Sequence, residues 1–370
     1  MNRKEKTVEE IIEDVVGRTC TVSAHYGVIP LELHRRAYIL NEGLSVKEFL
    51  KQMFGVSEEG YKSHFQDSLE VYSGEALSNN PYLEAIKGKE IKEGRVELVK
   101  LGYKKNEVAG LKEFYLDKNL NLQIPLTIFD NKVEDILGFK LDGNMWMSIT
   151  PTEIETMNKH IEDATGKVLT AGLGLGYFAY MCALKEDVES VTVIEVDRTV
   201  IEVFQEHLLP LMGEAGKKIQ IVHQNLFDYL KDNNIKRKFD YSFIDIFLDL
   251  NHAITICDAI APVLKYQKGR GKITYWLEQG MKNKMQTSII SGLKLRYLDK
   301  LSYREAMLLA MTATPDYDPQ ISYLIKGIHV AYKKINIKNE LDLKKAIFND
   351  DLLNQAMTLD SLGLMKSILK

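Results

Sequence analysis

The chain has 370 residues and a formal net charge of −4, with 45% hydrophobic and 27% charged residues. That balance describes a folded globular chain of two or three units, and offers no electrostatic footprint for nucleic acid or anionic membrane. No run of 18 apolar residues suggests a spanning helix, no apolar signal core follows the charged start, and Cys20, Cys182 and Cys257 stand too far apart for a metal motif, all of which fits a cytoplasmic enzyme.

Residues 1–75 read as a helical N-terminal subdomain. Thr7 and Glu10 make a capping-box pattern ahead of Ile11, Ile12, Val15 and Val16, with Gly17 as a stop. Pro30 can open a second helix through Leu40, and Ser45 with Glu48 opens a third. After the turn Gly55-Val56-Ser57, a further helix is expected over Glu58–Tyr72. Helix, turn, helix is also the outline of a DNA-reading motif. Here the would-be recognition helix opens on Glu58 and Glu59, and segment 45–72 is net acidic, which phosphates oppose. A structural role is preferred, and no nucleic-acid partner is expected.

Residues 76–150 read as a small β-rich segment. Arg95–Leu101 alternates as a half-buried strand should, Leu120–Phe129 is a second strand interrupted by Pro125, and Asn131 and Gly143 mark turns.

Residues 151–335 read as one α/β unit. Strands at Lys167–Ala171, Ser190–Glu195, Ile219–His223, Phe239–Asp245 and Lys272–Trp276 alternate with helices near Thr152–Glu162, Tyr177–Lys185, Thr199–Leu208 and Asn251–Leu264. Such alternation predicts a doubly wound, mostly parallel sheet. Residues 281–312 read as largely helical. Ile321–Ile325 and Gly327–Lys333 read as a hairpin turning at Lys326-Gly327. Residues 336–370 read as two amphipathic helices, packed on the core or on a partner subunit of a homo-oligomer.

The most informative stretch is 167–204. Gly172, Gly174 and Gly176 follow a strand and precede a helix, where backbone N–H groups can meet a ligand. Three glycines in five residues make a costly loop unless something approaches closely, which weighs against a ligand-free turn. A dinucleotide loop would be G-x-G-x-x-G, but Tyr177 stands where its third glycine belongs. Glu195 ends the next strand, where a carboxylate can accept both hydroxyls of a ribose. Asp197 suits the cap of the next helix. Asp245 ends an apolar strand and needs a partner, and Asp249 reads as a helix cap or loop acid. Trp146, Met147, Tyr275 and Trp276 could line an apolar pocket, although core packing is the commoner fate of such side chains.

G-x-G-x-G followed by a large residue resembles motif I of the class I S-adenosylmethionine-dependent methyltransferases. The order of features is most similar to the spermidine synthase (aminopropyltransferase) branch. A β-rich segment precedes the core, Thr170 replaces an acid two before the first glycine, and the second strand ends Glu195-Val196-Asp197. Val193–Pro210 is similar to that branch through its closing Leu209-Pro210, and the likeness covers about residues 120–280.

This resemblance implies a seven-stranded sheet with a reversed last strand and a small-molecule substrate. It implies S-adenosylmethionine, or its decarboxylated form, as cofactor. The glycine loop would meet the methionine carboxylate. Asn225 and the Leu226 N–H would meet the adenine, unless Asn225 only caps Leu226–Leu230. Asp245 would be the catalytic residue, holding the ammonium or the acceptor's nucleophile. The synthases' Asp-x-x-Asp-Pro segment is here Asp245-Ile246-Phe247-Leu248-Asp249-Leu250, one residue longer and without the proline, and the Asn/Asp-Pro-Pro-Tyr/Phe motif is absent. Methyl transfer is therefore expected. The alternatives are aminopropyl transfer with Asp245 as base, and a nucleoside-binding regulatory protein with residues 1–75 as its output.

Overall fold

The structure, a computed structural model, describes residues 6–26, 69–87, 89–105, 108–111, 115–123, 126–312 and 319–369, with single positions at 48, 57–59 and 62. Helix α1 (Val8–Tyr26) opens with the expected capping box: the Thr7 N–H donates to Glu10 and the Glu10 N–H to the Thr7 hydroxyl. It runs on through Gly17 rather than stopping there. Gly17 keeps a negative φ, so the left-handed cap that ends helices at glycine does not form. Ile11, Ile12 and Val15 are buried in the core shared with the C-terminal helices. The expected helices opening at Pro30 and Ser45 lie outside the described residues, apart from the single position 48. Leu69–Tyr72, expected as a helix end, is instead strand β1.

The segment that follows is β-rich. It comprises β2 (Ile91–Glu93), β3 (Val96–Tyr103), β4 (Val108–Leu111), β5 (Tyr115–Leu116), β6 (Leu122–Gln123), β7 (Leu126–Phe129), β8 (Val133–Leu141) and β9 (Asn144–Ser148). Strands β2, β3, β8 and β9 form an antiparallel sheet in that order, and β1, β7 and β4 form a mixed one in which β1 pairs with β7 in parallel. Leu141 pairs with Asn144 across Asp142-Gly143, both at positive φ, which is the mirror-image turn that suits the twist of a hairpin. This hairpin carries Trp146 and Met147 toward the parallel sheet.

That sheet has five described strands: β10 (Gly166–Ala171), β11 (Val188–Glu195), β12 (Ile219–His223), β13 (Tyr241–Ile244) and β14 (Lys272–Tyr275). All pair in parallel, in the order β12-β11-β10-β13-β14. The two-residue strand period sorts their side chains into two cores. Val168, Val191, Val193, Tyr241 and Phe243 face α2 (Pro151–Asp163), α3 (Tyr177–Ala183) and α4 (Arg198–Val203). Leu169, Ala171, Ile194 and Ile244 face α5 (Leu226–Asp232), α6 (Leu250–Lys265) and the C-terminal helices. The chain starts in the middle at β10, winds outward to β12, then returns to β13. The crevice between β10 and β13 is thus the switch point where open sheets bind ligands.

The reversed last strand and the seven-strand count are not found among the described residues. After α7 (Glu278–Tyr297) and α8 (Tyr303–Thr312), the expected hairpin is a single helix, α9 (Pro319–Lys333). The misreading has a physical cause. Ser322, Tyr323, Ile325, Lys326, Ile328, Val330 and Ala331 are all buried, and a buried run rich in Ile, Val and Tyr suits a strand as well as a helix. Gly327 is not a turn: a Cβ there would lie 2.4 Å from the Ser288 carbonyl carbon, and one on Gly292 would lie 2.9 Å from Ala331. Small residues let α7 and α9 cross at close range. Three helices follow, α10 (Glu340–Ile347), α11 (Asp350–Met357) and α12 (Ser361–Leu369), where two were expected. No helix among the described residues is long and apolar enough to cross a membrane.

Candidate functional site

A pocket of about 540 Å³ opens beyond the carboxyl ends of β10, β11 and β13. Its floor is the loop between β10 and α3. Gly172, Gly174 and Gly176 have φ of 94°, 53° and 80°, a region that side-chain-bearing residues rarely adopt. A Cβ on Gly172 would lie 1.9 Å from the Asp245 carbonyl oxygen, and one on Gly176 would lie 2.1 Å from the Phe204 ring. On Gly174 it would meet only the Met147 sulfur, at 3.9 Å. The first and third glycines are therefore required by packing within the protein. Gly174 faces the pocket, and Gly176 does not line it. Gly176, expected at the cofactor, thus stands outside the residues that line this pocket. Gly174 and Leu175 line the pocket, and their N–H groups have no partner among the described residues.

Glu195 lines the pocket at the end of β11. One carboxylate oxygen accepts the Leu173 N–H of the glycine loop (2.9 Å), and the other accepts the N–H groups of Val196 (2.7 Å) and Asp197 (2.8 Å). A carboxylate has about four acceptor sites, so roughly one is left for a ligand hydroxyl rather than the two a full diol contact uses. Glu195 thus braces the loop as well as facing the pocket. Asp197 caps α4 through the Thr199 and Val200 N–H groups, as the sequence implied. Asn225 and Leu226 also line the pocket. The Asn225 carbonyl oxygen is engaged as cap of α5 by the Phe227 N–H (2.8 Å), the capping alternative. Asp249 caps α6.

Asp245 follows β13, pinned to β10 by its N–H donating to the Ala171 carbonyl (2.8 Å). Its carboxyl lines the pocket with no hydrogen-bond partner among the described residues. Burial raises it to about 8, and the neighbouring Glu153 and Glu195 carboxylates push in the same direction. Glu153, which sequence reasoning missed, shares the pocket. Its carboxylate accepts the Thr150 N–H (2.9 Å) in a capping box at the start of α2, yet burial still raises it to about 7. Thr150-Pro151-Thr152-Glu153 is a recognisable helix opening in the sequence, but nothing in it says that the cap faces a cavity.

The remaining walls are apolar. Trp146, Met147, Met157, Phe247 and Trp276 line the pocket, whereas Tyr275 packs against the C-terminal core. Phe247 and Trp276 lie nearly parallel, 13° apart with centroids at 6.2 Å, and the Trp276 indole N–H donates to the Thr156 hydroxyl (2.8 Å). Outside the pocket, Glu93, Glu206 and His207 bring ligand atoms within 4.8 Å of one another. The His207–Glu93 contact at 3.3 Å accounts for that grouping without an ion.

No family model matches the chain, and no curated protein sequence does either. Solved structures resemble parts of it. A spermidine synthase from Thermotoga maritima is 19% identical, with a TM-score of 0.30, over 50% of this chain and 56% of its own. A glycopeptide N-methyltransferase solved with S-adenosyl-L-methionine is 16% identical, with a TM-score of 0.25, over 33% of this chain and 52% of its own. A precorrin 8W decarboxylase from Methanobacterium thermoautotrophicum is 15% identical, with a TM-score of 0.26, over 34% of this chain and 62% of its own. Each match spans less than two thirds of the other protein, and likeness at this level carries no argument about chemistry. The strand order, the glycine loop and the pocket between them describe an α/β fold with a five-stranded parallel sheet and a ligand-sized crevice at its switch point.

Proposed function

We propose that this pocket binds S-adenosylmethionine and that the protein transfers its methyl group to a small molecule. The observation that carries the reading is Gly174, open to a pocket at the β10–β13 switch point, with an unpartnered carboxyl, Asp245, across from it. The residues fit such a ligand. The free N–H groups of Gly174 and Leu175, close to the positive end of α3, suit a carboxylate. Glu195 has an acceptor site for a ribose hydroxyl. Asp245 suits an ammonium or another cation, which would bring back the ionised form that burial disfavours.

The cofactor, when bound, supplies a methyl group activated on a positively charged sulfur. The protein's own part is to hold both reactants in line and exclude water, which can supply much of the rate without covalent chemistry. Phe247, Trp276, Met147 and Met157 make an apolar wall for the acceptor. Glu153, raised to about 7, is poised near neutral pH to take the acceptor's proton.

Calorimetric titration of one sample with S-adenosylmethionine, its decarboxylated form and NAD tests the reading. The carboxylate contact at the glycine loop is worth about 1.5–3 kcal/mol, so the intact donor should bind roughly tenfold to a hundredfold tighter than the decarboxylated one. A preference for the decarboxylated donor would replace methyl transfer by aminopropyl transfer. Binding of NAD alone would overturn both.

A further inference from the structure

At the opposite end of the sheet from the pocket, two loops meet below β13 and β14. Segments 231–240 and 265–272, KDNNIKRKFD and KYQKGRGK, hold eight basic residues against two acidic ones, in a chain whose net charge is −4. The fold presses them together. A Cβ on Gly269 would lie 2.0 Å from the Lys236 carbonyl oxygen, and one on Gly271 would lie 2.2 Å from that of Phe239, so only glycine permits the contact. The Gln267 side chain locks it by accepting the Ile235 N–H (2.9 Å) and donating to the Asn233 carbonyl (3.0 Å). Asn234 donates to the Lys268 carbonyl (3.0 Å), and the Gly271 N–H to that of Lys236 (3.1 Å).

Few of these cations are spent inside the protein. Lys231 pairs with Asp228, Lys272 pairs with Asp163, and Lys238 bonds the Asn233 amide. Lys236, Arg237, Lys265, Lys268 and Arg270 have no acidic partner among the described residues. Of the two acids in the segments, Asp240 is engaged by the Lys167 N–H. The C-terminus of α6 accounts for Lys265 through the helix dipole, but not for Arg237, Lys268 or Arg270. Holding like charges together is unfavourable unless an anion neutralises them. Tyr266 stands among them 79% exposed, the one exposed large hydrophobic residue in either segment.

We propose that this face binds the phosphate backbone of single-stranded nucleic acid, with Tyr266 as a stacking platform for a base. Clustered Lys and Arg with an exposed aromatic ring is the chemistry that holds single strands without reading sequence. A membrane would call for aliphatic side chains to insert, and the face exposes none. An acidic peptide would use the cations but leave Tyr266 without a role. The whole-chain charge concealed this surface because acids elsewhere outweigh it.

Fluorescence anisotropy of the full chain with labelled oligouridylate and oligothymidylate tests the proposal. If about four phosphates are neutralised, affinity should fall about 50-fold between about 50 and 200 mM salt. The triple variant Lys265→Ala, Lys268→Ala, Arg270→Ala, checked for fold by circular dichroism, should bind at least about twentyfold more weakly and with a flatter salt dependence. Tyr266→Ala should lose roughly tenfold with the salt dependence unchanged. Absence of binding at low salt would overturn the proposal. So would equal binding by the triple variant, or a preference for phosphatidylserine vesicles or a poly-aspartate peptide over both oligonucleotides.

Discussion

Asp245 and Asp258 are two carboxylates drawn out of bulk water, and the protein treats them in opposite ways. Asp258, on α6, bonds the buried Lys326 ammonium and the Ser322 hydroxyl of α9. Lys326 in turn donates to the Met357 carbonyl (2.9 Å), and Ser322 accepts from the Ser361 hydroxyl (3.0 Å), so one acid ties α6, α9 and the chain's last helices together. Asp245 lies at the pocket with no such partner. A carboxylate that serves architecture receives its cation from the fold. One that lines a pocket is left without one, and its raised proton affinity records the cost.

The largest effect that could break this contrast is at Lys326. Lys326→Met would leave Asp258 buried without its cation and should cost about 3–5 kcal/mol in urea unfolding. Adding Asp258→Leu to the same chain should recover most of that loss, because removing both charges of a buried pair is far milder than removing one. A single variant within about 0.5 kcal/mol of the parent would show that the pair is not the tie described here.

Gly174→Val should come next. The added side chain would enter the pocket, and donor affinity should fall more than about a hundredfold, an effect above about 2.7 kcal/mol. The left-handed backbone at 174 adds roughly 1–2 kcal/mol of strain, so the folded state should survive. Affinity unchanged in a folded variant would place the ligand elsewhere.

Asp245→Asn should move two observables in opposite directions. The Asp245 carboxyl sits at about 8 in the folded chain against an ordinary 3.8. The folded state therefore holds a proton that the unfolded chain releases, and stability is lost as pH rises from about 4 to about 8. Above that range the variant, which cannot ionise, should melt higher than the parent. Its affinity for a cationic donor should nonetheless drop by about 1.5–3 kcal/mol. In the parent, that affinity should strengthen as pH rises through about 7 to 8, where the carboxyl ionises. A variant that melts lower at pH 8 would mean that Asp245 has an internal partner after all.

Glu153→Gln should give the smallest change in donor binding, whatever it costs the proton-transfer step. Glutamine can keep the capping box with Thr150, so the fold is retained. Removing the neighbouring negative charge should shift the pH midpoint of donor affinity downward by less than about one unit. A midpoint that stays in place would separate the two carboxyls electrostatically.

What the sequence by itself determined is local. The glycine spacing, the acids closing β11 and β13, and the caps at Thr7, Asp197 and Asp249 are set by residues within a turn of each other, so they are legible in the chain. Tertiary structure decided the rest. It placed Gly176 against Phe204, turned the Glu153 cap toward a cavity, and used Glu195 to brace the loop it faces. It also made one helix of the apparent hairpin at 321–333, because a buried run of β-branched and aromatic residues suits either structure and Gly327 serves a helix crossing rather than a turn. The loops of the basic face are more than 30 residues apart along part of their length, and only the fold brings them together. Contacts between distant segments leave no trace in short-range pattern, and that is where sequence reading stopped.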